Sequence, residues 1–284
     1  MTAIADWVTT KADGVGLGPK ASRVLEVLKT QPHLAAYAST ADLASRAGVN
    51  VATVVRTAQA LGFTGWPHLR LELRSRYLAT LTASELLDEH SGSMADPMVS
   101  AFRQDMENLR ITLGTVDFRA VHGVAQTIST ARKTLVVGSG SFAAPGIQLA
   151  HIASGMGMDI QIDRHGGTQL ANAITHLGPS DGLVVFNLWW QPREIGAAVR
   201  LASARAVKIC LVTDRPNSSI ADLSTYVIVV ASEGVSAFPS LTPSMAVVHA
   251  ILAEVARIGG PSVTAALARA DAAWASMDIF DESR

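Results

Sequence analysis

The sequence has little cysteine, few aromatic residues and little charge. One cysteine occurs in 284 residues, aromatic residues make up 5% and charged residues 17%. A lone cysteine cannot form a disulfide within the chain, so the fold cannot depend on such a crosslink. Cys210 lies in the apolar run 207–212, and this setting predicts a buried strand thiol rather than a reactive one.

Long apolar runs are also missing. The sequence has no uninterrupted stretch of about 18 apolar residues, which argues against a membrane-spanning helix. The first seven residues, MTAIADW, lack the basic start and the apolar core of a signal peptide. We therefore expect a cytoplasmic protein with no membrane partner.

The composition suits a folded chain of about two domains. Hydrophobic residues make up 49%, with 22 glycines and 11 prolines, and the length gives a soft expectation of about two domains. The net charge of −1 hides a split, because residues 1–78 carry 9 Lys+Arg against 5 Asp+Glu, whereas the other residues carry 14 against 19. This asymmetry favours a nucleic-acid-binding module joined to a neutral-to-acidic sensor.

Three short helices are predicted near the N-terminus. The first occupies 20–30, where apolar residues follow helical spacing until Pro32 ends the pattern. The second runs from about 40 to 47, and the third covers 51–61 with Asn50 as its N-cap. Short consecutive helices with a glycine-containing turn between the last two predict a helix-turn-helix.

This segment also carries a family resemblance. The residues TADLASRAGVNVATVVR at 40–56 and LGFTGWP at 61–67 closely resemble the helix-turn-helix of the RpiR family of bacterial regulators, with several separated positions in register. That family joins this domain to a SIS (sugar isomerase) domain, a phosphosugar-binding α/β fold. The resemblance extends over essentially the whole chain and implies a transcription regulator that binds an operator in double-stranded DNA and a small-molecule effector.

Five residues are candidates for DNA binding. In a helix-turn-helix the second helix enters the major groove, so we predict that Thr53, Arg56 and Thr57 face bases and phosphates. Thr40 and Asn50 stand at two helix starts, where they can contact phosphate or act as caps without touching DNA. We expect Arg56 to read a guanine or to bind a phosphate, the alternative being a solvated arginine.

A linker is predicted after these helices. A further helix covers 69–81, and the polar stretch 85–97 with Ser91-Gly92-Ser93 has the composition of a flexible connection. Two more amphipathic helices are predicted over 99–113 and 118–131.

Apolar strands and helices then alternate. Strands are predicted at 134–137, 158–162, 183–188, 208–212 and 226–230. Helices are predicted at 146–156, 169–177, 194–204 and 219–223, with a closing helix over 245–258 and a terminal one over 265–274. Strands that are apolar on both faces and separated by helices predict a doubly wound α/β domain with a mostly parallel sheet.

The chain thus reads as an all-α domain followed by an α/β domain. The predicted divisions are a helix-turn-helix DNA-binding domain at 1–80, a linker at 81–97, a SIS-type effector-binding domain at 98–265 and a C-terminal tail at 266–284.

A glycine turn follows the first strand. Gly138, Ser139, Gly140 and Ser141 can present backbone N–H groups to an anion. A tight structural turn without a ligand is one alternative. A dinucleotide fingerprint with Asp163 on the ribose is another, but residue 143 is an alanine where that fingerprint has its third glycine, so we predict no cofactor.

The resemblance implies that this turn acts with a Ser/Thr-rich loop after a later strand, of the form Ser-x-Ser-Gly-x-Thr. Here NLWWQP at 187–192 takes its place, and the segment 236–245 keeps serines but lacks the family's arginine. We therefore predict a modified pocket that suits an aromatic ring, the face of an unphosphorylated sugar or a cation better than a phosphate dianion. Its predicted ligand-binding residues are Gly138, Ser139, Gly140, Ser141, Asn187, Trp189, Trp190, Gln191, Ser240 and Ser244. The alternative is that the two tryptophans serve packing or a subunit interface.

An enzyme is the alternative function, because sugar-phosphate isomerases share the SIS fold. Possible acids and bases are Glu194, Glu233, His151, His165, His176 and His249. Their scatter along the sequence defines no catalytic group and no metal site, so we predict a regulator rather than an enzyme. Operators are commonly read by symmetric pairs, and we expect a homodimer or homotetramer.

Overall fold

The computed structural model describes residues 3–91 and 96–280. By contacts the chain divides into two compact units. The first comprises Met1–Met106 and Ala231–Pro239, and the second comprises Glu107–Val230 and Ser240–Arg284. The domain limits at 80 and 98 stay a prediction.

The first unit is helical. Its helices are α1 (Ala3–Ala12), α2 (Pro19–Thr30), α3 (Pro32–Tyr37), α4 (Thr40–Ala47), α5 (Val51–Ala60), α6 (Trp66–Leu78) and α7 (Ala83–Ser91), followed by the start of α8 (Pro97–Thr115). The apolar sides of α1 to α6 share one core that includes Leu28, Leu43, Val54, Trp66 and Leu73. The predicted helix-turn-helix corresponds to α4 and α5 and is confirmed in its helices.

Two parts of this unit differ from the sequence-based expectation. Pro32 does end α2, but it also opens α3, because proline fits the first turn of a helix where no N–H partner is needed. Residues 83–91, which lie within the predicted linker at 81–97, form the helix α7, and the linker limits themselves stay a prediction. Thr82 and Glu85 cap this helix reciprocally, with the Glu85 N–H donated to Thr82 Oγ1 at 3.3 Å and the Thr82 N–H donated to Glu85 Oε2 at 2.7 Å. Gly92 and Ser93 lie outside the described residues.

The second unit contains five strands with helices between them. After α8 come α9 (Phe118–Thr130), β1 (Thr134–Gly138), α10 (Ala144–Gly155), β2 (Ile160–Asp163), α11 (Gly167–Thr175) and β3 (Gly182–Asn187). The chain continues with α12 (Arg193–Ala204), β4 (Lys208–Thr213), β5 (Tyr226–Val229), α13 (Thr242–Gly259) and α14 (Pro261–Ser276). The predicted strands are confirmed, but the helix predicted at 219–223 is wrong, since those residues form turns. The tail predicted at 266–284 begins inside α14.

All strand pairs in the sheet are parallel, in the order β2-β1-β3-β4-β5. One face carries Val136, Phe186 and Val212 against α9, α10 and α13. The other carries Val137, Val185 and Leu211 against α11 and α12. Because apolar side chains cover both faces, the predicted doubly wound α/β architecture is confirmed.

Cys210 lies in the middle of this sheet and is fully buried. Burial raises the pKa of its thiol to about 12, because the thiolate would lose its hydration. The prediction of a buried strand thiol is confirmed.

Across the described ranges 3–91 and 96–280, no single helix has the length and hydropathy needed to cross a membrane. The bent pair α13 and α14 meets those criteria only when its two helices, 108° apart, are taken together.

Close packing of α10 on the sheet depends on Gly146. A Cβ atom there would stand 2.9 Å from Val136 Cγ1 and 3.2 Å from Ile162 Cδ1. We predict that Gly146→Ala lowers the free energy of unfolding by about 1–2 kcal/mol, because overpacking exceeds the gain in helix propensity. Urea denaturation of the full chain measures this change. The control is Gly155→Ala in the same helix, where an added Cβ meets nothing within 4 Å, and which should be neutral or stabilising by up to about 1 kcal/mol. Equal losses in both variants would contradict the packing explanation.

The start of α4 is held by Ser39 rather than by Thr40. Ser39 Oγ accepts the Asp42 N–H at 3.1 Å, the Asp42 carboxylate accepts the Ser39 N–H at 3.2 Å, and Thr40 is the first helical residue. We predict that Ser39→Ala costs about 1 kcal/mol of stability, whereas Thr40→Ala costs at most a few tenths. Thermal denaturation of the two variants tests this ranking, and a larger loss for Thr40→Ala would refute it.

Candidate DNA-reading and effector sites

Helix α5 presents one exposed face. Asn50 Oδ1 accepts the Thr53 N–H at 2.8 Å and so fixes the start of this helix. Arg56 is exposed, and its Nε donates to the Ala52 carbonyl at 3.3 Å. Gln59 is exposed one turn further on. This face can offer a guanidinium and an amide to a DNA groove.

The two threonines predicted beside Arg56 do not belong to that face. Thr57 is 2% exposed and its hydroxyl donates to the Thr53 carbonyl at 2.8 Å. Thr53 is 8% exposed and its hydroxyl donates to Asn50 Oδ1 at 2.7 Å. Their burial contradicts the expectation that they reach DNA, because both lie beside the apolar stripe that packs into the core. Sequence reasoning missed Gln59, although its helical spacing from Arg56 places it on the exposed side.

The predicted ligand-binding residues at the strand ends lie at one edge of the sheet. In the parallel register Gly138 pairs with Phe186, and Asn187 pairs with Thr213. The carboxyl ends of β1, β3 and β4 therefore meet at this edge. The chain leaves β1 toward β2 on one side and crosses to β3 on the other, which makes the gap between β1 and β3 the topological switch point where doubly wound folds bind ligands.

The glycine turn after β1 has a packing role. A Cβ on Gly138 would stand 2.7 Å from the Cα of Ala143, so glycine is required for the 3₁₀ turn Gly140–Ala143 to fold back over the strand. Ser139 is partly exposed and Ser141 is exposed. Asp163 accepts the N–H groups of His165 and Gly166, both at 3.0 Å. Its carboxylate thus stabilises the turn that follows β2.

The tryptophan pair after β3 divides into a buried and an exposed ring. Trp189 is 6% exposed, and its backbone N–H donates to both carboxylate oxygens of Asp214, at 3.2 and 3.1 Å. Trp190 is 48% exposed and its ring stacks on that of Trp189, with 4.3 Å between centroids. Gln191 lies over Gly196 at the start of α12. Of the two rings, that of Trp190 is therefore the more exposed at this edge.

Ser240 and Ser244 stand at the start of α13. Ser240 Oγ accepts the Thr242 N–H at 3.1 Å. Ser244 is fully buried in the first turn, and its hydroxyl has no hydrogen-bond partner within the described residues. A buried hydroxyl without a partner costs free energy, and at a helix N-terminus it stands beside backbone N–H groups that favour an anion or a polar oxygen.

The candidate acids and bases are distributed over the molecule. Glu194 accepts the Gly167 N–H at 3.0 Å near the end of β2, where His165 also lies. Glu233 belongs to the first unit, where it is buried and ion-paired with Arg74. His151 and His249 lie on the exposed sides of α10 and α13, and His176 follows α11. Within the described ranges these six residues do not form one catalytic group.

Known proteins are similar to this chain in both its helical N-terminal part and its α/β part. The family model for the helix-turn-helix domain of the rpiR family matches residues 11–80. The HTH-type transcriptional regulator RpiR of Escherichia coli K12 is 24% identical over 229 residues, which is 76% of each chain. The sugar isomerase domain of an RpiR transcription factor from Sphaerobacter thermophilus is 31% identical, with a TM-score of 0.58, over 61% of this chain and 97% of that structure.

A second solved structure covers both parts. The Vibrio vulnificus NanR protein, complexed with ManNAc-6P, matches 98% of this chain and 100% of its own with a TM-score of 0.62 and 17% identity. At that identity the likeness concerns the fold alone. With the matched helix-turn-helix and the 31% identical sugar isomerase domain, this chain belongs to the RpiR family of transcriptional regulators, which joins a helix-turn-helix to a SIS domain.

Proposed function

We propose that this regulator binds a short operator as a homodimer through α5, and that a carbohydrate derivative bound at the carboxyl edge of its sheet changes operator affinity. The observation that carries the DNA-binding part is the exposed Arg56 and Gln59 face of a capped second helix. The second helix of such a motif enters the major groove, and paired half-sites require two copies.

The effector part rests on two features. Trp190 offers a half-exposed ring, which suits the apolar face of a sugar. Ser244 offers a buried hydroxyl without a partner at the start of α13, which suits a ligand oxygen. NanR was solved with a sugar phosphate, which supports the ligand class. Ser139, Ser141, Asn187 and Ser240 are the proposed further contacts. Effector binding alters DNA affinity only to the extent that it favours one arrangement of the dimer.

Sensing is favoured over catalysis. A sugar-phosphate isomerase needs an acid and a base placed together at its substrate. Of the six candidates Glu194 and His165 both lie near the end of β2, but Glu194 accepts the Gly167 N–H there, and Glu233 is ion-paired with Arg74 in the other unit. The matched helix-turn-helix of a regulator family supports sensing. Incubation with aldose and ketose phosphates, followed by product analysis, separates the alternatives, because turnover would establish an enzyme.

Operator binding is tested with DNA flanking the protein's own gene. We predict that Arg56→Ala weakens specific binding by about 1–3 kcal/mol, or roughly 5- to 150-fold, at one fixed salt concentration. The control is Arg119→Ala, which removes an equally charged, exposed side chain from α9. The absence of specific binding by the wild type, or an equal loss in both variants, would refute the proposed role of α5.

Effector binding is tested by calorimetry with a panel of sugar phosphates and the parent sugars. We predict that Ser244→Ala leaves thermal stability unchanged or raised, because a buried unpaired hydroxyl is removed, and weakens sugar binding about tenfold. Trp190→Leu should weaken it comparably through loss of the stacked face. The control is Ser129→Ala, which removes another buried hydroxyl without a described partner, near the amino ends of the strands. Binding that survives both changes at the carboxyl edge would place the ligand elsewhere.

A further inference from the structure

The segment Ala231–Pro239, here called the strap, connects β5 to α13 but does not belong to their unit. By contacts it is part of the first unit, together with Met1–Met106. The next residue along the chain is Ser240, which with Ser244 is a proposed effector contact at the start of α13. The strap is therefore a piece of the helical unit that is covalently joined to the start of α13.

A buried ion pair anchors the strap to α6. The carboxylate of Glu233 pairs with the guanidinium of Arg74, and Gln104 Nε2 donates to Glu233 Oε2 at 3.4 Å. Arg74 also lies over the ring of Tyr37, 4.5 Å from its centroid, which helps to fix the cation. Because Glu233 is only 8% exposed, its charge depends on these partners rather than on water. Loss of the carboxylate should therefore loosen the strap.

A histidine of α7 holds the strap at a second point. His90 Nδ1 donates to the Ser236 carbonyl at 2.8 Å, since a carbonyl can only accept. Nε2 of the same ring lies 4.0 Å from Glu233 Oε1, and the His90 side chain is only 11% exposed. Because this bond is made to the main chain, it fixes the path of the strap as well as the position of one side chain.

The strap is tightly folded. A Cβ atom on Gly234 would collide with the carbonyl oxygen of Phe238 and stand 3.4 Å from the Cα atom of Pro239. Glycine thus permits an approach of two backbone segments that another residue would prevent. A loop that is folded on itself and held at Glu233 and Ser236 can transmit a displacement, which a slack connection cannot.

Helix α6 links the anchor to the DNA-reading helix. Leu73, the neighbour of Arg74, is fully buried in the core that also contains Val54 and Ala58 of α5. Packed cores change between discrete arrangements and do not deform gradually. A displacement of the strap that moves α6 therefore acts on the helix that carries Arg56.

We propose that the strap is the element through which effector binding at the start of α13 reaches the DNA-reading helices. A ligand oxygen bound by Ser244 orders the first turn of α13, and the strap passes that change to α6 and α7. The inference rests on the proposed function and deepens it by naming the coupling element. Coupling at equilibrium is reciprocal, so loosening the anchor must also loosen the start of α13.

Hydrogen exchange of the full chain, measured by mass spectrometry, tests this reciprocity without DNA or sugar. Glu233→Gln leaves Arg74 without its counter-charge, so the amides of α6 and of residues 245–249 in α13 should exchange at least about tenfold faster than in the wild type. Gly234→Ala changes no charge but opens the loop, and it should accelerate exchange at 245–249 as well. Because neither ligand is present, a failure here is distinguishable from a failure of operator or sugar binding.

Glu89→Gln is the matched control, because Glu89 belongs to another ion pair of the same unit, with 2.8 Å between its Oε1 and His33 Nε2. Its loss should accelerate exchange in α3 and α7 and leave residues 245–249 unchanged. Circular dichroism checks that each variant is folded. Faster exchange in α6 alone after Glu233→Gln overturns the inference, because the effect then stops within the first unit. Equal acceleration of 245–249 in Glu89→Gln, or none in Gly234→Ala, also overturns it.

Discussion

The parallel pairing of β1 with both β2 and β3 is the constraint on which the effector side of the molecule depends. Parallel strands must be joined by crossovers that return to the same end of the sheet, so the chain places α10, α11 and α12 over the two faces. The same pairing gathers the carboxyl ends of β1, β3 and β4 at one edge. A glycine turn, two tryptophans and a buried aspartate meet there although up to about 75 residues separate them in sequence.

Much of this architecture could be predicted from the sequence, because its determinants are local. Runs such as 183–188 and 208–212 are apolar throughout, which only a strand covered on both faces tolerates, and the observed strands differ from them by one or two residues. The prediction of a helix at 219–223 was wrong for a reason that is also local. The hydroxyl and carbonyl groups of Ser218 bind nearby N–H groups and hold the chain in turns.

The other differences from the sequence-based predictions have different causes. In α7 the signal was present, since Thr82 and Glu85 have capping-box spacing, but the polar composition of 85–97 outweighed it. Thr57 shows a similar conflict. Thr57 lies three residues after the buried Val54, so helical geometry could have shown that it does not face DNA. The burial of Ser244, in contrast, depends on tertiary packing that no local pattern encodes.

The sequence analysis gave ligand binding and packing as alternatives for the two tryptophans, and the structure divides these roles between the two rings. Trp189 has a φ of 65°, a left-handed conformation that costs a bulky residue on the order of 1–3 kcal/mol. The Asp214 carboxylate accepts its N–H and helps to hold this conformation in a buried position. Trp189 therefore serves packing, as one interpretation required. Its ring also supports that of Trp190 in a stacked geometry and leaves the outer ring half exposed. A flat surface fixed in this way loses little conformational entropy when a ligand binds, so under the proposed effector role the strain at residue 189 serves to preorganise the ring of Trp190.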